Sequence, residues 1–136
     1  MAVNAFPVYK TEEWISKSDF GFRFAMVENR EFSKIEHRHD FYEITVVFSG
    51  YIHHKINGRI YTQKAGDICI LRPGDHHLQI RRCEEFKSYV SSISPMIFDS
   101  FLNAFDIKRR IITFPDVVLF HVHSQQSQTQ QQAFEL

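Results

Sequence analysis

The run HRHDFYEITVVFSGYIHHKINGRIYTQKAGDICILRPGDHHLQI, residues 37–80, decides the fold. Its centre is a hairpin signal. Asn57-Gly58 stands between residues 51–56 and 59–63, both carrying β formers. A two-residue type I′ turn needs positive φ at both central positions, and Asn-Gly is the preferred pair for it. Ala65-Gly66-Asp67 turns the chain again, and residues 67–71 form the next strand. Arg72-Pro73-Gly74-Asp75 makes a further turn before a strand at 76–81. Upstream, residues 41–48 are β-branched and aromatic, and Ser49-Gly50 ends them.

On the N-terminal side, Phe20, Phe22, Phe24 and Met26 alternate with other residues, the period of a half-buried strand at 20–27. A short strand is expected around 33–39. Residues 1–19 read as an irregular lead-in. On the C-terminal side a strand is expected at 86–93. The period then changes. Ser94-Pro95 offers an N-cap followed by proline at the first helical position. Ile97, Phe98, Phe101, Leu102 and Phe105 follow at helical spacing, so a helix is expected over 95–105. Residues 116–123 read as a last extended segment. Short strands separated by turns, then one helix, define an all-β chain: an antiparallel β-barrel or jelly roll spanning 20–123, with a helical appendage.

The composition fits this. The chain has 136 residues, enough for one core without disulfide staples. Fourteen phenylalanines suit the inside of a sandwich or barrel. Lys+Arg and Asp+Glu are both 16, so nothing in the balance grips nucleic acid. No apolar run reaches the ~20 residues that span a bilayer, no signal peptide opens the chain, and two cysteines suit a reducing cytoplasm. Six of the eight residues 125–132 are glutamine. They read as a polar tail or as the first turns of a helix or linker, 124–136, in a longer protein.

Six of the eight histidines lie between His37 and His77. His37 and His39 point to the same side of a strand, and Glu43 shares their parity. A straight strand would hold Glu43 about 20 Å from His37, so a shared site requires a bend at residues 40–42. The pair His76-His77 supplies a fourth candidate. Three imidazoles and a carboxylate form the ligand set of a divalent transition metal: Zn, Ni, Fe, Mn or Cu. Solvated or carbonyl-bonded histidines at strand ends are the competing reading.

These two segments resemble the paired motifs of the cupin superfamily, G(X)5HXH(X)3–4E(X)6G and G(X)5PXG(X)2H(X)3N. His37, His39, Glu43 and Gly50 fall on the first, with Arg30 or Glu31 near its leading glycine. Gly66, Gly74 and His77 fall on the second, with Arg72 in place of its proline and Arg81 in place of its asparagine. The resemblance implies metal positions at His37, His39, Glu43 and His77. More narrowly, the run 37–80 is similar to the N-terminal sensor domain of AraC/XylS-type transcription regulators. That resemblance implies a small-molecule effector in the barrel, a homodimer formed through later helices, and a DNA-binding part that this chain lacks.

Side chains sharing the ligand face are then expected to line the pocket: Phe41, Thr45 and Val47 beside Glu43, and Gln79 and Arg81 beside His77. Tyr42 or Phe41 is expected to stack on a sugar or similar polar metabolite. Core packing is the alternative for Phe41 and Val47, and a solvated edge for Arg81. His53 and His54 face opposite ways on their strand, so at most one can reach the site. Cys69 reads as an inert core thiol. The function expected is a ligand-sensing, dimerising regulatory module. The alternative is a small metal-dependent cupin enzyme, an isomerase or dioxygenase, with the same four ligands.

Overall fold

A computed structural model of the chain describes residues 6–15, 21–27 and 35–121. Among the described residues, ten strands and three helices follow one another: β1 (Val8–Tyr9), α1 (Thr11–Trp14), β2 (Phe22–Val27), β3 (His37–His39), β4 (Tyr42–Ser49), β5 (Tyr51–Ile56), β6 (Arg59–Lys64), β7 (Asp67–Leu71), β8 (His76–Arg82), β9 (Lys87–Ile93), α2 (Pro95–Ala104), α3 (Lys108–Thr113) and β10 (Val118–His121). They form two five-stranded sheets. Sheet A runs β1-β3-β8-β5-β6 and sheet B runs β10-β7-β4-β9-β2. This is the expected jelly roll, left open at its edges rather than closed into a barrel.

The strongest turn signal holds. Asn57 has φ 50 and Gly58 φ 85, and the β5–β6 hairpin pairs Ile56 with Arg59 across them. Gly50, the closing glycine of the first motif, is constrained differently. Its φ is +73, and an added Cβ would stand 2.3 Å from Cys83 Sγ and 3.1 Å from Phe86 Cα. Neither conformation nor space admits a side chain there.

Alternation then decides what is inside. On β7, Asp67, Cys69 and Leu71 are buried while Ile68 and Ile70 are less so. Ile56, Cys69, Leu71 and Val117 form one apolar cluster, and Val47, Ile52 and Phe86 another. The outer face of sheet B carries a third. Tyr42 packs against Phe98 and Leu102 of α2, with Ile44, Ile70 and Ile93 beside them. Of the expected helical stripe only Phe98 and Leu102 are buried; Ile97, Phe101 and Phe105 stay exposed.

Several expectations need correcting. Part of the lead-in is ordered: β1 pairs with β3, and does so in parallel, an exception to the antiparallel rule. A strand that short can join sheet A because Arg38 N–H and Asp40 N–H donate to the carbonyls of Pro7 and Tyr9. Ser94 precedes α2, but its side chain makes no cap bond; its backbone carbonyl accepts from Ile97 and Phe98 N–H instead. Helix α3 was not expected. Its KRRIIT sequence is short and buries no residue, so it carries no apolar stripe to read. The expected strand starts at Phe20 and Ser33, the motif place at Arg30 or Glu31, and the Gln-rich segment 124–136 lie outside the described residues.

Candidate functional site

The bend required at residues 40–42 is a change of sheet. Strand β3 ends at His39 in sheet A, and β4 begins at Tyr42 in sheet B. Glu43 therefore faces the histidines from across the interior. His39 Nε2 lies 3.1 Å from His77 Nε2 and 3.3 Å from Glu43 Oε2. His37 pairs with His77 in the β3–β8 register, and one ring nitrogen each of His37, His39 and His77 lies within 4.8 Å of the others. The four residues that the motifs single out are brought together, all buried.

A fourth imidazole joins them. His54 on β5 is fully buried, and its Nε2 lies 2.7 Å from His77 Nδ1. Its Nδ1 lies 2.7 Å from Oε1 of Gln63 on β6. His53, facing the other way, bonds Thr62 Oγ1. Gln63 gave no signal in the sequence, because on β6 the apolar Ile60 is the exposed residue and the amide the buried one. Tyr9 was missed too. Its ring stacks on His37 at 4.4 Å, and Trp14 stacks behind it at 5.4 Å.

Burial governs the protonation of this group. It pushes His37, His54 and His77 below the ordinary imidazole value, His77 the furthest. Burial alone would raise Glu43. The hydrogen bond from His39, and the attraction of the neighbouring imidazoles once low pH has protonated them, outweigh it and hold the carboxyl at about 2. His37, His54 and His77 are thus neutral beside an ionised Glu43, and neutral imidazole and carboxylate are the forms that bind a cation.

The donor set fits a divalent transition metal. Ligands about 2.0 Å from one tetrahedral ion lie about 3.3 Å apart, close to the separations at His39. His37 Nδ1 is 2.9 Å from the Ile35 carbonyl, so that nitrogen carries the proton and Nε2 is free to ligate. His39 Nδ1 is buried and has no hydrogen-bond partner among the described residues.

The other expected pocket residues divide. Phe41 is buried and stacks on His39 at 4.5 Å. Thr45 is buried one turn of the pleat beyond Glu43, its Oγ1 without a partner among the described residues. Val47 packs with Ile52 and Phe86 in the apolar core. Gln79 pairs with His54 in register and is partly buried. Tyr42 is not brought to the site. Successive strand residues face opposite sides, and its hydroxyl donates to Asp99 of α2 at 2.9 Å. In the backbone register, a shift between His53 and His54 pairs Arg81 with His53. The Arg81 side chain lies outside the described residues.

Arg72, where the second motif has proline, is a clamp. Its Nε donates to Asp75 Oδ2 at 3.0 Å, and its other nitrogens donate to the carbonyls of Ile111, Phe114 and Asp116. It ties the turn before His77 to α3 and the segment after it.

Comparison with known proteins follows the same lines. The model of the AraC-like ligand binding domain matches residues 20–136. A stretch of 43 residues is 49% identical to the HTH-type transcriptional activator RhaS of Yersinia pestis (strain Pestoides F), covering 32% of this chain and 16% of that protein. The chain spans well under half the length of the curated relatives it matches. The structure of ToxT from Vibrio cholerae aligns with a TM-score of 0.52 at 13% identity, over 83% of this chain and 47% of that one, a likeness of fold. An RmlC-like cupin from Shewanella frigidimarina gives a TM-score of 0.44 at 20% identity, over 55% of this chain and 67% of that one. Among the described residues no helix is long and apolar enough to cross a membrane.

Proposed function

The chain belongs to the AraC-like ligand-binding domain family, and from that premise we propose that it is the effector-sensing module of a transcription regulator, with a divalent transition metal held in its jelly roll. One observation carries the metal reading: ring nitrogens of three buried histidines lie within 4.8 Å of one another, with the Glu43 carboxylate 3.3 Å from one of them, where an ordinary core would be apolar. His37, His39, His77 and Glu43 would hold the ion. When bound, it supplies a Lewis-acid anchor for an oxygen of the effector. Phe41 gives that effector a ring face, and Thr45 and Gln79 give it hydrogen-bonding groups. Such a surface suits a sugar or another polar metabolite better than a hydrocarbon.

Regulatory output requires a second half. The chain covers 16% of RhaS, whose name marks it as an HTH-type activator. We assign DNA binding to a part of the protein beyond this module, and dimerisation to helices that follow the sheets.

The test is thermal unfolding of the chelator-treated protein against Zn2+, Ni2+, Fe2+, Mn2+ and Cu2+, each alone and with a panel of pentoses and hexoses. A binder at 100 times its dissociation constant stabilises by about 2.7 kcal/mol, a rise of several degrees for a domain this size. Loss of the metal-dependent rise in His39→Ala and Glu43→Gln supports the site. No rise with any metal, and metal-free protein from the cell, sinks the metal reading and leaves the polar cavity to the effector alone.

A further inference from the structure

One row of side chains crosses sheet A strand by strand, in the order β1-β3-β8-β5-β6. Its members are Tyr9, His37, His77, His54 and Gln63. The rings of Tyr9 and His37, and of His37 and His77, are 4.4 Å apart. His77 then bonds His54, and His54 bonds Gln63, both at 2.7 Å. His54 and Gln63 are fully buried, yet neither belongs to the trio of His37, His39 and His77 whose ring nitrogens cluster.

The direction of the hydrogen bonds along this row is set at its far end. A carboxamide oxygen only accepts, so His54 Nδ1 carries a proton to donate to Gln63 Oε1. A neutral imidazole has one N–H, so His54 Nε2 must accept, and His77 Nδ1 must donate to it. His77 is left with a lone pair on Nε2, the nitrogen 3.1 Å from His39 Nε2. Reversing the amide would reverse every step and leave the proton of His77 on Nε2, toward the cluster. His37 reaches the same tautomer by another route, through the Ile35 carbonyl. Gln63 keeps its oxygen on His54 although its Nε2 is buried with no partner among the described residues.

We propose that Gln63, acting through His54, is the positioning residue that holds His77 in its Nδ1–H tautomer and so turns the Nε2 lone pair into the cluster. The consequence for metal rests on the reading above; the tautomer does not. Outer partners that orient a ligating histidine typically contribute 10–100-fold to metal affinity.

Two measurements on histidine-15N-labelled protein, as wild type and variants, separate the claims. The two-bond 15N–1H pattern of metal-free protein reads the tautomer, and competition with a chromophoric chelator reads the Zn2+ dissociation constant. The wild type is expected to show His77 protonated at Nδ1. Gln63→Met should give a mixture of tautomers and bind Zn2+ 10–100-fold more weakly. His54→Gln places a carboxamide where His54 Nε2 stood, where it accepts directly from His77. In that background, Gln63→Met should cost no further affinity. A wild-type spectrum with His77 protonated at Nε2 overturns the proposal without any variant, including the case where Gln63→Met fails to fold. So does a Gln63→Met protein with the wild-type tautomer. If the wild type shows the expected tautomer but binds no Zn2+, the relay stands and the metal reading fails.

Discussion

His77 commits both ring nitrogens, one to His54 and one to the cluster, and it titrates accordingly. His37, His54 and His77 are held below the usual imidazole value by burial, so the unfolded chain binds protons that the folded chain refuses. Stability must therefore fall as pH drops below about 6.5, by up to ~1.4 kcal/mol per pH unit for each group. Glu43 adds its loss lower down. Its folded value is about 2, so its contribution disappears as pH falls from the ordinary carboxylate range toward 2. Metal-free protein should unfold at a distinctly lower temperature at pH 5 than at pH 7.5. An unfolding temperature that does not change over this range would contradict the assignment of neutral imidazoles. At this scale the sequence was informative where side-chain parity held. Spacing put His37, His39 and Glu43 on one face given a bend, the turn offered the pair His76-His77, and the resemblance to the cupin motif chose His77 between them. His54 could only be narrowed to one of a pair. Gln63 could not be seen at all, because a buried amide beside an exposed Ile60 inverts the hydrophobic pattern that parity reading depends on.

Among elements, the β5–β6 hairpin was the most legible, because Asn57-Gly58 states its turn chemically. The structure adds a second use for Asn57. Its Nδ2 donates to Asp75 Oδ1 at 2.9 Å, and its Oδ1 accepts from His76 N–H at 3.1 Å. The hairpin tip thus holds the start of β8, the strand that carries His77. Asn57→Gly keeps a turn-competent backbone but removes both bonds. It should cost about 1–3 kcal/mol in urea unfolding, since Asp75 and the His76 N–H each lose a partner. It should also broaden the His77 resonances, whereas Gly58→Ala, with open space around its Cβ, should cost only backbone strain of about 1–2 kcal/mol. Equal effects from the two substitutions would leave Asn57 as a turn former alone. The register shift between β5 and β8 was not legible: β8 carries one extra residue between Gln79 and Arg81 against β5, and no residue type in that stretch announces it.

For the molecule as a whole, Arg72 joins the sheets to the helices. Its side chain and that of Asp75 are each only 12% exposed, so the pair is nearly buried. Arg72→Ala leaves Asp75 without its guanidinium and three carbonyls without their donor. A loss of about 3–5 kcal/mol is expected by denaturant unfolding, and α3 amides should exchange faster. A loss under about 1 kcal/mol would reduce the clamp to a surface contact. The sequence presented Arg72 only as a departure from a motif, because its carbonyl partners lie 39–44 residues away. The row from Tyr9 to Gln63 has a consequence for biosynthesis. Its members lie on five strands, and the last to be made is His77, 68 residues after Tyr9. At about 5–20 residues per second, roughly 3–14 s separate the two during translation. Forty of those residues, about 2–8 s, still separate His37 from His77. Strand β8 lies between β3 and β5 in sheet A, so the first and middle members of the row cannot be joined, nor their imidazoles buried together, before the strand made last has taken its place.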